Sequence, residues 1–257
     1  MTLNIKRILR QMPIVKRIYA SLFFRLLKLF KKEEFLMRFM GVKFYLNINE
    51  PIDKSIILFD YYENEQLNFS INLISKHNVN IFFDIGANCG IYSLIVANKF
   101  NNLKIYSFEP IKLSYKKFRH NIMLNKNLRN IRSYNYGLSN KNANLEMKAL
   151  IKKNYIQLGG FGVLKENDNL INKHLTSASF RKGDDYFKFK NKVIFLKIDV
   201  EGHEMQVLEG IINLFSDNKI ILQIEILPGQ TKLVEKKLTK LKFKKYNKIN
   251  FDYYFIN

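Results

Sequence analysis

The sequence predicts an α/β domain on a doubly wound, mostly parallel sheet, with helices on both faces and an antiparallel strand at the carboxyl-terminal end. Three observations predict it. Apolar runs of strand length alternate with amphipathic helical stretches, the pattern of parallel strands joined by crossover helices. One run, Val193 to Ile198, is apolar almost throughout, as expected of a strand covered on both faces. Three of the runs also end in an acid: Asp84, Glu109 and Asp199. Ligands of such sheets sit beyond the carboxyl ends of the strands, so the three acids mark one candidate site.

The chain of 257 residues has room for one such domain and an extension. Hydrophobic residues make up 47% and aromatics 14%, which excludes a disordered chain. Lysine and arginine number 43 against 22 acids, a formal charge of +21. So basic a surface suits an anionic partner: an acidic or phosphorylated substrate, nucleic acid or a membrane face. A composition heavy in Lys, Asn and Ile produces the same excess without a partner. The single cysteine excludes an internal disulfide and points to a reducing, cytoplasmic compartment. No apolar run reaches transmembrane length, and Ile18 to Phe24 lacks the cleavage site of a signal peptide.

In chain order, residues 1–32 carry nine basic residues and no acid, with apolar residues at helical spacing from Ile18 to Phe30 behind Pro13. A basic amphipathic helix of this kind packs on its own domain or lies on an anionic bilayer, here the inner membrane face. Residues 1–40 are expected to form an extension and 41–257 the domain. Residues 42–49 read as a strand and 65–77 as a helix leading into the strand at 79–84. The helix from Ile91 to Phe100 follows, then a strand ending at Phe108-Glu109-Pro110, a helix over 112–127 and a third strand from Ile131 to Leu138. Residues 143–150 read as an added antiparallel strand. Residues 151–183, with Gly159, Gly160 and Gly162 and little periodicity, are expected to be an irregular, substrate-facing insert. The strand ending at Asp199 leads to a helix from Glu204 to Phe215. A strand from Lys219 to Leu227, containing Glu225, precedes a helix over 231–241 and one or two strands within 243–257.

The turn after the first core strand narrows the ligand. A dinucleotide fold places Gly-x-Gly-x-x-Gly against a pyrophosphate. Here the spacing is Gly86-x-x-x-Gly90, with Asn88 between and Asp84 just before. That suits a ligand with an amine and a carboxylate and no phosphate. Glu109, at the end of the second strand, is placed to accept hydrogen bonds from two vicinal ribose hydroxyls. Together these features favour S-adenosylmethionine over NAD.

At this point a resemblance emerges. Asp84-Ile-Gly-Ala-Asn-Cys-Gly90, Phe108-Glu109-Pro110 and Lys197-Ile-Asp-Val-Glu-Gly-His-Glu204 resemble the FkbM family of S-adenosylmethionine-dependent methyltransferases. Tyr62-Glu63-x-Glu65, Asn121 and Asn125, and Gly137-Leu138-Ser139 resemble further elements of that family, over about residues 60 to 228. Gly137 stands where an alanine is usual, and Arg181-Lys-Gly-Asp-Asp185 where Leu-Asp-Asp is usual. The resemblance implies a Rossmann-like class I methyltransferase fold. It implies that Asp84 and the turn of Gly86, Asn88 and Gly90 hold the methionine portion of the cofactor. Glu109, with Pro110, would hold the ribose, and Glu63 would help to anchor the amine. Acceptors associated with the family are sugar hydroxyls of glycans, glycolipids or natural products.

Methyl transfer from a sulfonium asks for an aligned nucleophile and removal of its proton. Asp199 or His203 is the candidate base, with Glu201 beside them. A histidine at a helix N-terminus stays neutral and able to accept a proton. Asp199, Glu201 and Glu204 could also hold Mg²⁺, an oxygen-loving ion, but carboxylates here more simply orient hydroxyls, and no metal is assigned. Zinc-protease, phosphate-loop and Gly-x-Ser-x-Gly patterns are absent. Nucleic-acid methylation fits the charge, but an Asn-Pro-Pro-Tyr/Phe element at the fourth strand is missing. A non-catalytic cofactor-binding module is the third reading.

Overall fold

The computed structural model describes residues 11–152, 155–166 and 168–257. The chain divides into two compact units, residues 1–64 and 65–257.

In the first unit, helix α1 (Pro13–Leu29) precedes a hairpin of β1 (Glu34–Phe39) and β2 (Val42–Asn47), and helix α2 (Pro51–Phe59) follows. The hairpin turns on Met40 and Gly41, both at positive φ (46° and 85°), the two-residue geometry whose twist matches the strands. The extension expected to end at residue 40 therefore ends inside a hairpin, because β1 and β2 are joined by one continuous ladder. Pro51 opens α2 at a position where its missing N–H costs nothing.

The second unit is built on a seven-stranded sheet. Its strands are β3 (Ile81–Ile85), β4 (Lys104–Phe108), β5 (Ile131–Tyr134), β11 (Val193–Ile198), β12 (Lys219–Glu225), β13 (Lys244–Ile249) and β14 (Asp252–Ile256), in the order β13-β14-β12-β11-β3-β4-β5. Strands β5, β4, β3, β11 and β12 run parallel, and β14 is antiparallel to both its neighbours. The order reverses between β3 and β11, which places the switch point at the carboxyl ends of the strands carrying Asp84 and Asp199. Helix α3 (Asn64–Lys76) leads into β3; the crossover helices are α4 (Ile91–Lys99) and α5 (Lys112–Leu124), then α7 (Glu204–Gly210) with α8 (Ile212–Asp217), and α9 (Thr231–Lys240). The single helix expected from Glu204 to Phe215 is two, broken at Ile211. The predicted doubly wound sheet with its antiparallel carboxyl-terminal strand is the observed one.

The remaining strands form a second sheet: β6 (Gly137–Ser139), β7 (Ala143–Lys152), β8 (Tyr155–Ile156), β9 (Gly162–Val163) and β10 (Lys173–Lys182). Helix α6 (Gly183–Tyr186) leads back to the main sheet. Two expectations change here. The third strand stops at Tyr134, and Gly137 to Ser139 instead pairs in parallel with β10. The segment 151–183 is not irregular, since β10 pairs with β7 over eight residues. In β10 the outward face carries the exposed Leu175 and the inward face the polar His174 and Thr176, which hides the strand from a periodicity reading. Gly137 has a packing reason: a Cβ there would lie 2.4 Å from the Phe180 ring.

One face of the main sheet is closed by aliphatic and aromatic packing. Phe83 stacks between Tyr106 and Phe108 (centroids 5.3 and 5.7 Å), and Phe187 meets it edge-on at 5.1 Å. The other face carries a buried polar row across five strands: Ser107, Asp84, Lys197, Gln223 and Tyr254, each opposite the next in register.

Candidate active site

The turn Gly86–Gly90 hangs from the end of β3 by two backbone bonds, Gly86 N–H and Ala87 N–H to Phe108 O (3.0 and 2.9 Å). Gly86 (φ 86°) has a conformation that L side chains avoid, and a Cβ there would lie 1.8 Å from the Asp199 carbonyl oxygen. Asn88 is also left-handed (φ 49°), which asparagine tolerates, and Gly90 (φ 85°) is the N-cap of α4. From α5, the Asn121 side chain donates to Cys89 O at 3.0 Å and pins the turn's outer edge.

Asp84 is buried rather than aimed openly into the crevice, at 1% exposure. Its Oδ2 accepts from Ser93 N–H (3.1 Å) and Ser93 Oγ (2.5 Å), and Ser93 Oγ also meets Ser107 Oγ at 2.7 Å. Its Oδ1 is buried with no hydrogen-bond partner among the described residues. Burial raises its pKa, opposed chiefly by Lys197.

Glu109 follows β4, buried beside the turn. Its Oε2 accepts from Asn88 N–H and its Oε1 from Ile111 N–H, both at 2.8 Å. Burial pushes its pKa up to about 7 despite those bonds, with Asp84 and Asp199 adding to the rise. The Asn135 amide clamps the turn from behind, donating to Glu109 O (2.9 Å) and Pro110 O (3.2 Å).

Asp199 is the first residue past β11, and its N–H bonds Ile85 O at 3.0 Å. Its side chain is 23% exposed, and Lys197 Nζ lies 2.9 Å from its Oδ2. Lys197 itself is 3% exposed and sits 4.5 Å from the Tyr92 ring centroid. Glu225, at the end of the neighbouring strand β12, shares a hydrogen bond with Asp199. Burial and the Asp199 charge hold the Glu225 carboxyl far above the usual range, while Asp199 is held low because Lys197 and Glu225 outweigh its burial. The two carboxyls titrate as a pair, with the Glu225 end pushed up and the Asp199 end pulled down.

The loop after Asp199 is tightly wound. Glu201 (φ 51°) and Gly202 (φ 96°) are both left-handed, a strained pairing of the kind that collects at ligand sites. Burial pushes the Glu201 carboxyl up to about 7, with Asp199 and Glu204 adding to it. Glu204 turns back to accept Gly202 N–H at 2.9 Å. His203 is buried, with Nε2 2.9 Å from Ser139 Oγ and its ring 5.3 Å from that of Phe180. Its pKa falls to about 4, so it is neutral as expected. The cause is burial first and Lys165 second.

The structure therefore brings Asp84, Gly86, Asn88, Gly90, Glu109, Pro110 and Asp199 to one sheet edge. Glu201 lies two residues beyond Asp199, and His203 is tied to the second sheet through Ser139. Glu63 belongs to the first unit, in a left-handed turn (φ 45°). Among the described residues no three His, Cys, Asp or Glu converge as a metal would need. Sequence reasoning missed Ser93 and Asn135, and the roles of Ser139, Lys197 and Glu225. Lys197 had a signal, a lone cation inside an apolar strand, and Glu225 had another, an acid at the end of a core strand; Ser93 and Asn135 had none, being ordinary polar residues. An open cavity of about 670 Å³, lined in part by Asn78, Asn80, Asn101, Asn102, Lys104 and Lys192, lies at the opposite, amino edge of the sheet and contains none of these groups.

The profile of the methyltransferase FkbM domain matches residues 84–246. "Methyltransferase sdnD" of Sordaria araneosa is 25% identical over 152 residues, covering 50% of this chain and 59% of that protein. "Methyltransferase 1" of Beauveria bassiana (strain ARSEF 2860) is 26% identical over 147 residues, covering 50% and 57%. The chain thus spans less than two thirds of the length of these relatives. Among solved structures, precorrin-6y C5,15-methyltransferase from Geobacter metallireducens GS-15 aligns over 76% of this chain and 88% of its own, with a TM-score of 0.44 and 15% identity. The TYW2 protein of M. jannaschii, solved in complex with AdoMet, aligns over 88% and 84% with a TM-score of 0.44 and 10% identity. From the profile match over most of the second unit, the chain belongs to the FkbM family of S-adenosylmethionine-dependent methyltransferases.

Proposed function

We propose that the protein moves the methyl group of S-adenosylmethionine to a hydroxyl of a sugar, in a glycan, glycolipid or small natural product, with Asp199 as general base. One observation carries this reading. Asp199 is a partly exposed carboxylate of the edge, with Lys197 Nζ 2.9 Å from its Oδ2 and a hydrogen bond shared with Glu225. The residues fit the cofactor. The unpartnered Oδ1 of Asp84 and the side-chain-free surface of Gly86 suit the methionine end, and Glu109 with Pro110 suits the ribose. Glu63 is assigned to the cofactor's amine by the family resemblance.

The bound cofactor supplies a methyl group already electrophilic on its sulfonium. The acceptor oxygen forms the new C–O bond as the S–C bond breaks and its electron pair returns to sulfur. The hydroxyl proton passes to the Asp199 carboxylate. Lys197 keeps that carboxylate ionised and Glu225 holds it in place. Glu201, poised near neutrality, orients the acceptor hydroxyls, and the buried His203 positions the 199–204 loop through Ser139.

The test is incubation of the purified chain with methyl-labelled cofactor and separated pools of glycans, lipids, small molecules and RNA. Label that survives mild base in the glycan, lipid or small-molecule pool supports the reading. Label in RNA, which the +21 charge would favour, replaces it with nucleic-acid methylation. Tight cofactor binding without turnover on any pool leaves a binding module.

A further inference from the structure

Helix α1 is apolar on two sides, and only one of them is covered. On the covered side Leu27 is buried and Tyr19, Phe23 and Phe24 are half-buried. The Tyr19 ring lies 6.2 Å from that of Phe59, and Lys54 Nζ lies 4.4 Å from the Phe24 centroid. On the other side Ile14, Ile18, Leu22, Leu26 and Leu29 are each more than half exposed, from 51% at Leu26 to 79% at Leu29. Their spacing of four, four, four and three residues sets them in one line along the helix, roughly 22 Å long at the helical rise. A folded chain rarely leaves so long an aliphatic line in water without a use for it.

The charge around the line identifies its occupant. Arg17 and Arg25 are exposed on the same helix, and Lys31 and Lys32 follow it. Residues 1–32 contain no acid. We infer that this exposed face of α1 docks on the surface of an anionic lipid bilayer. The aliphatic line enters the acyl boundary while the lysine and arginine stems lie along it and place their charges among the headgroups. The helix lies on the surface and does not span: it has 17 residues, and no helix among the described residues is long and apolar enough to cross. A second copy is a poor occupant, because pairing along this line would bring two uniformly positive helices together.

The test uses the full chain and sedimentation with vesicles of phosphatidylcholine alone or with about 30 mol% phosphatidylglycerol, at about 0.15 M salt. Binding is expected to the anionic vesicles only. Ile18→Glu with Leu22→Glu, and separately Arg17→Gln with Arg25→Gln, are each expected to weaken it about tenfold or more. All four side chains are exposed, so circular dichroism and Tm should hold. The chain has no tryptophan, so Leu22→Trp provides a lone indole whose emission should shift to the blue on binding. The inference is overturned by three results. These are no sedimentation with anionic vesicles, equal sedimentation of the glutamate variant, or a self-associated species in gel filtration that the glutamate variant abolishes. The assay needs neither cofactor nor acceptor, so its outcome is independent of the acceptor reading.

Discussion

Replacing Lys197 by methionine tests the electrostatics of the sheet edge in one step. Methionine keeps most of the aliphatic stem beside the Tyr92 ring and removes the charge. What remains is Asp84 at 1% exposure and Asp199 at 23%, two acids without the cation that now offsets their burial. Breaking a buried ion pair by deleting one partner costs about 3–5 kcal/mol, which for a chain of this size is roughly 10 °C in Tm. The pH dependence gives the sign. Lys197 holds the folded-state pKa of Asp199 below its ordinary value, so its contribution is present above that value and is lost as pH falls through the lowered pKa. Without Lys197, burial pushes Asp199 and Asp84 upward, and each then loses stability as pH rises through its folded-state pKa. The deficit of the variant should therefore be substantial already near about pH 5, where Asp199 has lost its cation, and larger near about pH 8. Urea unfolding at both pH values measures it, and adding Asp199→Asn should recover part of the loss at the higher pH. A deficit below about 1 kcal/mol, or one equal at both pH values, would refute this account of the edge.

Three further outcomes follow from the same geometry. Glu225→Gln should keep turnover near pH 7 within about threefold, because the amide still donates to Asp199, whereas Glu225→Ala should lose about tenfold or more in kcat. Equal losses would make Glu225 a packing residue. Cofactor affinity, read by calorimetry, should tighten as pH rises through about 7, where Glu109 gains its charge, and Glu109→Gln should flatten that dependence. Gly86→Ala should lower Tm by several degrees and weaken cofactor binding, because a left-handed alanine costs about 1–2 kcal/mol before its Cβ meets the Asp199 carbonyl. Unchanged binding there would remove the turn from the cofactor site.

Much of the main sheet was legible because its strands obey local rules. Val193 to Ile198 is apolar and bounded by polar residues, and β3 and β4 end in an acid and a turn. The second sheet was not legible. Strand β10 alternates only weakly, and Gly137 to Ser139 continues the sequence of β5 while pairing with a strand some forty residues later. Such pairing is set by long-range register, for which a local window holds no signal. Met40-Gly41 was hidden for a related reason: it breaks the periodicity but closes a hairpin.

Sequence alone determined the motif acids, the glycine turn that excludes a pyrophosphate cradle, and the basic character of the N-terminal helix, because each depends on residue type and near-neighbour spacing. Tertiary structure decided what each acid touches. Asp84 became a buried anchor for Ser93, Glu109 a carboxyl raised to about 7 between two backbone donors, and Asp199 a partner of both Lys197 and Glu225. Those differences come from burial and from partners on other strands, and only the folded sheet brings Lys197, Asp199 and Glu225 within reach of one another.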